Sequence, residues 1–278
     1  MPLFNNIEIS NIKKLSDNER KSEFWKLVGS INLLKEESYD CTKLNVWSYR
    51  NKGDIRNGVN ITFGNMVNGF PLKVGGVMFH HSEGAYIAGK YSKNDHDCIR
   101  IQNMISADRK GLWCKKIFRG KLKYTKFGRE DFNDFYDFNV QWMMYVLWMK
   151  SVQNENFASL LRSLPVDSHV VENTSYHYGE TATFWGAKNI PLEDVRKVKK
   201  KEIAKIGVFK TKVGLERSQM LAVNAINDIS VFEGKNVMGK IIKLMSLSLI
   251  YGQEPPIDYD LLESKRLFLL GRPIVFRQ

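Results

Sequence analysis

Apolar residues recur at three- and four-residue intervals across 7–38: Phe24, Leu27, Val28, Ile31 and Leu34. That period predicts helix. Ser16 and Glu19 have capping-box spacing and mark a helix start. Residues 44–79 alternate and break repeatedly at glycines 53, 58, 64, 69, 75 and 76. Within them FPLKVGGVMF (70–79) reads as a hairpin, two short β segments around Gly75-Gly76. A helix is expected from about Ser82. Residues 131–164 are apolar nearly all round in their middle, which predicts a buried helix. A short helix over Asn156–Leu164 follows and stops at Pro165. Residues 170–186 begin strand-like and continue as a polar, aromatic loop. Helices are expected over 218–228 and 236–251, then a tail with one short amphipathic piece and an extended end.

This order predicts an α+β fold, mainly helical, with a small hairpin or sheet. There are no repeats and no clean linker. Residues 1–45 are expected to form an N-terminal helical extension and 46–251 the main domain, with a basic insertion at 187–232. Residues 252–278 are expected to form a tail packed on the domain.

The chain has 278 residues, 43% of them hydrophobic, enough to bury a core and exclude a disordered chain. No apolar run reaches the ~18–20 residues of a membrane helix. The opening residues lack a secretory apolar core, and Cys41, Cys98 and Cys114 are too scattered for a disulfide framework. A cytoplasmic setting is expected, with no membrane partner.

Charge changes the picture more. The formal net charge is +12, from 42 basic and 30 acidic residues. The excess concentrates in 109–129, where lysines and arginines interleave with aromatics, and in 196–212. Both favour a polyanion. The alternative is a solvated, lysine-rich surface.

HSEGAYIAGK (81–90) is the candidate for chemistry. Seven residues of helix return to within ~20° of the starting direction, so Glu83 and Lys90 share a face with Tyr86 between them. Gly84 and Gly89 together cost roughly 2 kcal/mol against alanine, which suggests a close approach to this helix. Alone, the stretch fits close helix packing with a solvated Glu and Lys better than it fits a reacting pair. In EGKNVMGK (233–240), Lys235 and Asn236 stand at a helix start, where N–H groups meet anions. Trp185 in FWG offers a stacking surface. His80-His81 and Asp95-His96-Asp97 are the only clusters of ligand type. Their spacing gives no metal site.

Taken together, these segments resemble the NADAR (YbiA-like) superfamily of N-glycosidases over about residues 63–250. The resemblance is carried in order by FGNM (63–66), the hairpin, HSEGAYIAGK, and KSVQNENFASLL (150–161) with Lys150, Gln153 and Asn154. VVE ending at Glu172, Trp185-Gly186 and GKNVMG (234–239) complete it. The departures are specific. The family histidine after Glu83 is Gly84 here, and a family Trp aligns with Phe135. The family Asp before Trp-Gly falls on Ala182, with Glu180 and Thr183 nearby.

The resemblance implies cleavage of an N-glycosidic bond to ribose without metal or cofactor. A carboxylate protonates the leaving base or stabilises the oxocarbenium ion, and this role falls to Glu83. Lys90 binds phosphate or attacks C1′, and Glu180 is the candidate replacement for the missing Asp. Asn65, Tyr86, Arg119, Lys150, Trp185, Gly186, Lys235 and Asn236 would contact substrate. The implied substrate, given the basic blocks, is ADP-ribosylated guanine in DNA, with an antitoxin or counter-defence role. The alternatives are an ADP-ribose or nucleic-acid binding module with a decayed site, and a glycosidase of small riboflavin-pathway intermediates.

Overall fold

The computed structural model describes residues 5–50, 54–56, 59–127, 136–175, 177, 179–189 and 230–276. They form an α+β structure, about half helical with small sheets. The chain divides into two compact units, one of residues 1–64 and 161–253, the other of 65–160 and 254–278.

The first unit opens with helices α1 (Asn5–Lys14) and α2 (Asp17–Gly29). The helical stretch expected over 7–38 is interrupted. Ser16 is extended (φ −63°, ψ 161°) and closes the expected capping box with Glu19, starting a new helix. After Gly29 the Asn32 side chain accepts from the N–H groups of Leu34 and Lys35, a turn that competes with helix. Ile31 and Leu34 therefore lie beyond α2, and β1 (Glu37–Asp40) follows. Residues 1–45 are thus not wholly helical: β1 pairs antiparallel with β9 (Val231–Gly234), which also pairs with β8 (Lys188–Asn189).

β2 (Val46–Tyr49) runs parallel to β7 (His169–Glu172), with Val46 opposite His169 and Tyr49 opposite Glu172. β3 (Asp54–Arg56) and β4 (Val59–Ile61) make a separate antiparallel pair. Helix α9 (Val237–Tyr251) packs on β7 and α2, buried on nearly every face. Its two buried lysines are satisfied within the unit. Lys240 Nζ donates to the carbonyls of Asn32 and Lys35, and Lys243 Nζ to those of Pro165 and Val166, all at 2.7 Å. Phe24, Leu247, Ile250 and Tyr251 form one core cluster, and Tyr39, Val46, Val171, Ala187 and Phe232 another.

The second unit begins with the expected hairpin, β5 (Leu72–Val74) and β6 (Val77–Phe79). Gly75 (φ 53°) and Gly76 (φ 80°) both take the left-handed conformation that a two-residue turn of this twist requires. Then come α3 (Ser82–Lys90), α4 (His96–Ser106), α5 (Leu112–Gly120) and α6 (Tyr136–Gln153). Trp142, Met144, Val146 and Leu147 of α6 are fully buried, as its apolar pattern requires. α7 (Glu155–Arg162) follows and carries the passage back to the first unit. The tail supplies α10 (Tyr259–Ser264) and the strand pair β10 (Phe268–Leu269) and β11 (Arg272–Pro273). No described helix is long and apolar enough to cross a membrane. The expected helix at 218–228, the basic stretch 196–212 and Phe135 lie outside the described residues.

Candidate functional site

The first turn of α3 is fixed from two sides. His81 is its N-cap, and its Nδ1 accepts from the Gly84 N–H at 3.0 Å. Asn65 holds the next two residues: its carbonyl accepts from Glu83 N at 3.0 Å, and its side chain accepts from Ser82 Oγ at 3.1 Å. Asn65 is itself buried, with its amide nitrogen 3.4 Å from Met143 Sδ. Its described contacts thus set the helix that carries Glu83.

The two glycines of α3 answer to packing. A Cβ on Gly89 would fall 2.3 Å from Trp142 Nε1, which donates to the Tyr86 carbonyl at 3.0 Å. The close approach inferred from sequence is therefore, at Gly89, the indole of α6. At Gly84 a Cβ would lie 3.1 Å from Cε1 of His81.

Glu83, Tyr86, Ile87 and Lys90 of α3 face Lys115, Phe118 and Arg119 of α5 across a pocket of about 170 Å³. The α5 residues are spaced i, i+3, i+4 and so share one helix face. Lys115 Nζ lies 3.4 Å from Glu83 Oε1, with the two side chains 34% and 13% exposed. Partial burial screens such a pair less than an open surface pair. Lys90 is 1% exposed, and its Nζ stands 4.9 Å from the Tyr86 ring centre and 5.1 Å from that of Phe118. Tyr86 OH donates to Asn139 at 3.3 Å. Among the described residues one carboxylate and three cations line the pocket, which favours an anionic ligand beside an acid/base group.

The structure thus brings Glu83, Lys90, Tyr86 and Arg119 together. Lys115 and Phe118 complete the pocket and were missed as site residues. The signal was available in CKKIFR, where Lys115, Phe118 and Arg119 have helical spacing.

Lys150 is fully buried, its Nζ 4.1 Å from the Phe157 ring centre and 5.2 Å from that of Phe70, without a hydrogen-bond partner among the described residues. Burial pushes its pKa down to about 7. It is a core amine between aromatic rings.

The remaining candidates belong to the first unit. The stretch read as loop before Trp185 contains a short helix, α8 (Glu180–Trp185). Glu180 is exposed in its first turn, and the Trp185 ring meets Phe184 edge-on at 5.1 Å. Gly186 cannot carry a side chain, since a Cβ would fall 2.5 Å from the Glu172 carbonyl. Its own carbonyl accepts from Asn236 N, and Lys235 N donates to Thr183 O at 2.7 Å. Trp-Gly and Gly-Lys-Asn therefore meet through their backbones. Lys235 Nζ stands 5.6 Å from the Phe184 ring centre. Asn236 is fully buried in the left-handed region (φ 52°), with its amide accepting from Glu172 N and donating to Val170 O. Both ends of that amide are used in joining α9 to β7.

Sequence spacing did not reveal a second cluster. His81, Asp108 and Cys114 place donor atoms within 4.8 Å of one another, all buried. Metal-ligand types meet here, but Nδ1 of His81 is spent on the helix cap. A neutral ring then carries its proton on Nε2, which leaves no lone pair for an ion. Burial lowers the His81 pKa, a trend that the Asp108 charge opposes, and raises that of the Cys114 thiol.

No protein-family model matches the chain, and a search of curated proteins finds no match.

Proposed function

We propose that the chain is an N-glycosidase that cleaves the bond between a base and an ADP-ribosyl group, with modified guanine in DNA as substrate. The observation that carries this is the pocket in which Glu83 stands among Lys90, Lys115 and Arg119 beside Tyr86 and Phe118. In this reading the ribosyl phosphate end enters the pocket. Glu83 protonates the departing base nitrogen or stabilises positive charge growing at C1′, and water adds at C1′ to give free base and ADP-ribose. Lys115 and Arg119 bind phosphate, and Lys90 orients the sugar between the two rings.

The NADAR resemblance supports the same assignment of Glu83, Lys90 and Arg119. Where that family has a histidine, this chain has Gly84, and the imidazole of His81 lies against that position. The DNA part of the reading rests on α5. Leu112 and Trp113 are 61% and 50% exposed at its start, among the exposed Arg109, Lys110 and Lys116. An exposed indole amid cations suits base stacking beside phosphates.

Incubation with an ADP-ribosylated oligonucleotide, followed by mass spectrometry of released ADP-ribose, tests the reading. Release by the wild type is expected. Tight, salt-sensitive binding without release would replace the glycosidase with a binding module. Turnover of free nucleotides alone would replace DNA with a small metabolite.

A further inference from the structure

Asp108 occupies the turn before α5 and is 5% exposed. Its Oδ1 accepts from the N–H of Lys110 at 2.9 Å, and its Oδ2 from the N–H of Cys114 at 2.8 Å. That same Oδ2 faces Nε2 of His81 at 3.6 Å. Nε2 is fully buried and has no hydrogen-bond partner among the described residues. Since Nδ1 accepts the Gly84 N–H, a neutral ring carries its proton on Nε2, the nitrogen that lies 3.6 Å from the carboxylate. The thiol of Cys114 is turned away, donating to the Gly111 carbonyl at 2.9 Å.

Each end of this pair adjoins a pocket group. His81 precedes Glu83 by two residues and caps the turn that carries it. Asp108 holds the backbone N–H of Cys114, the residue before Lys115. The pair therefore ties the start of α3 to the first turn of α5, the two elements whose side chains meet as Glu83 and Lys115.

We propose that His81 and Asp108 are positioning residues that set the register of α3 against α5, and so the Glu83–Lys115 separation. The role rests on the glycosidase reading of the pocket. Neither residue touches the substrate. Loss of the pair displaces an acid/base group within a site where about 1 Å of misplacement costs up to about 100-fold in rate.

His81→Asn separates capping from positioning. Asparagine is a good N-cap acceptor, so α3 keeps its cap, while the Nε2–H toward Asp108 is gone. The variant is expected to fold with little change in melting temperature and to lose about 10-fold in kcat with KM nearly unchanged. The discriminating readout is a double-variant cycle with Lys115→Met. If His81 acts through the Glu83–Lys115 register, His81→Asn costs less than about twofold once Lys115 is gone. An equal loss in both backgrounds, or full kcat in His81→Asn alone, overturns the proposal. Asp108→Asn repeats the cycle from the other end and is expected to show the same coupling to Lys115. If the wild type releases no ADP-ribose, the glycosidase reading fails by itself. The cycle is then read on ADP-ribose affinity by calorimetry, where additive losses overturn the pair and coupled losses support it.

Discussion

The Lys115 ammonium stands 3.4 Å from Oε1 of Glu83, joining the cationic face of α5 to the one carboxylate that lines the pocket among the described residues. Lys115 therefore has two tasks in the proposed reaction: it sets the Glu83 side chain and it offers a donor to phosphate. Lys115→Met is expected to raise KM for the ADP-ribosylated oligonucleotide about 10-fold and to reduce the salt dependence of binding by about one phosphate contact. Steady-state kinetics over a salt series checks both. An unchanged salt slope would remove Lys115 from the phosphate contacts.

Gly89 is held by the indole of Trp142, whose Nε1 would meet an added Cβ at 2.3 Å. Alanine would favour the helix by about 1 kcal/mol, yet the overlap is far tighter than a contact can be. Gly89→Ala is expected to lower stability by about 2 kcal/mol, since overpacking a filled core forces neighbours to shift. Gly84→Ala meets only the edge of His81 at 3.1 Å and should cost much less. Urea denaturation of the two variants distinguishes them, and equal stabilities would contradict the packing argument.

Lys150 is a stability liability at neutral pH. Its folded pKa of about 7 lies below that of an unfolded lysine. Between those values the unfolded chain holds a proton that the folded chain has released, so the wild type gains stability as pH rises from about 7 to 10. Below pH 7 both states are protonated and the cost is complete. Lys150→Met is expected to be more stable at neutral pH, by roughly 4 kcal/mol at most. Its advantage should shrink as pH rises toward 10. Denaturation at a series of pH values follows the difference between the two proteins, and a constant difference would contradict the burial.

Much of the local structure was legible because each element carried its own signal. Gly75-Gly76 between the triplets LKV and VMF specified a two-residue hairpin, and Ser16 with Glu19 specified a helix start. The apolar run over 236–251 announced the helix α9, and the run within 131–164 announced the buried α6. The interruption after Gly29 was missed because Ile31 and Leu34 continue the helical period into a turn organised by Asn32. Half of the pocket was legible in HSEGAYIAGK, where helical spacing put Glu83, Tyr86 and Lys90 on one face. Its other wall was read only in part: Arg119 was named, but Lys115 and Phe118 were passed over because composition alone assigns their basic stretch to solvent or a polyanion. The glycines of α3 signalled close approach, but periodicity carries no information about the approaching group. At Gly89 it is Trp142, more than fifty residues away in sequence. Asp108 and His81 show the same limit: their pairing is a product of tertiary structure, with no short-range spacing to mark it.

In the proposed reaction Glu83 performs acid/base or electrostatic work on a glycosidic bond. The most direct test of that role compares wild type with Glu83→Gln on one ADP-ribosylated oligonucleotide, with released ADP-ribose measured by mass spectrometry over time. The substitution keeps the shape of the side chain and removes its charge and its proton. The account predicts release by the wild type and a rate at least about 100-fold lower in the variant, with binding of the oligonucleotide retained. Equal rates for the two proteins would contradict it.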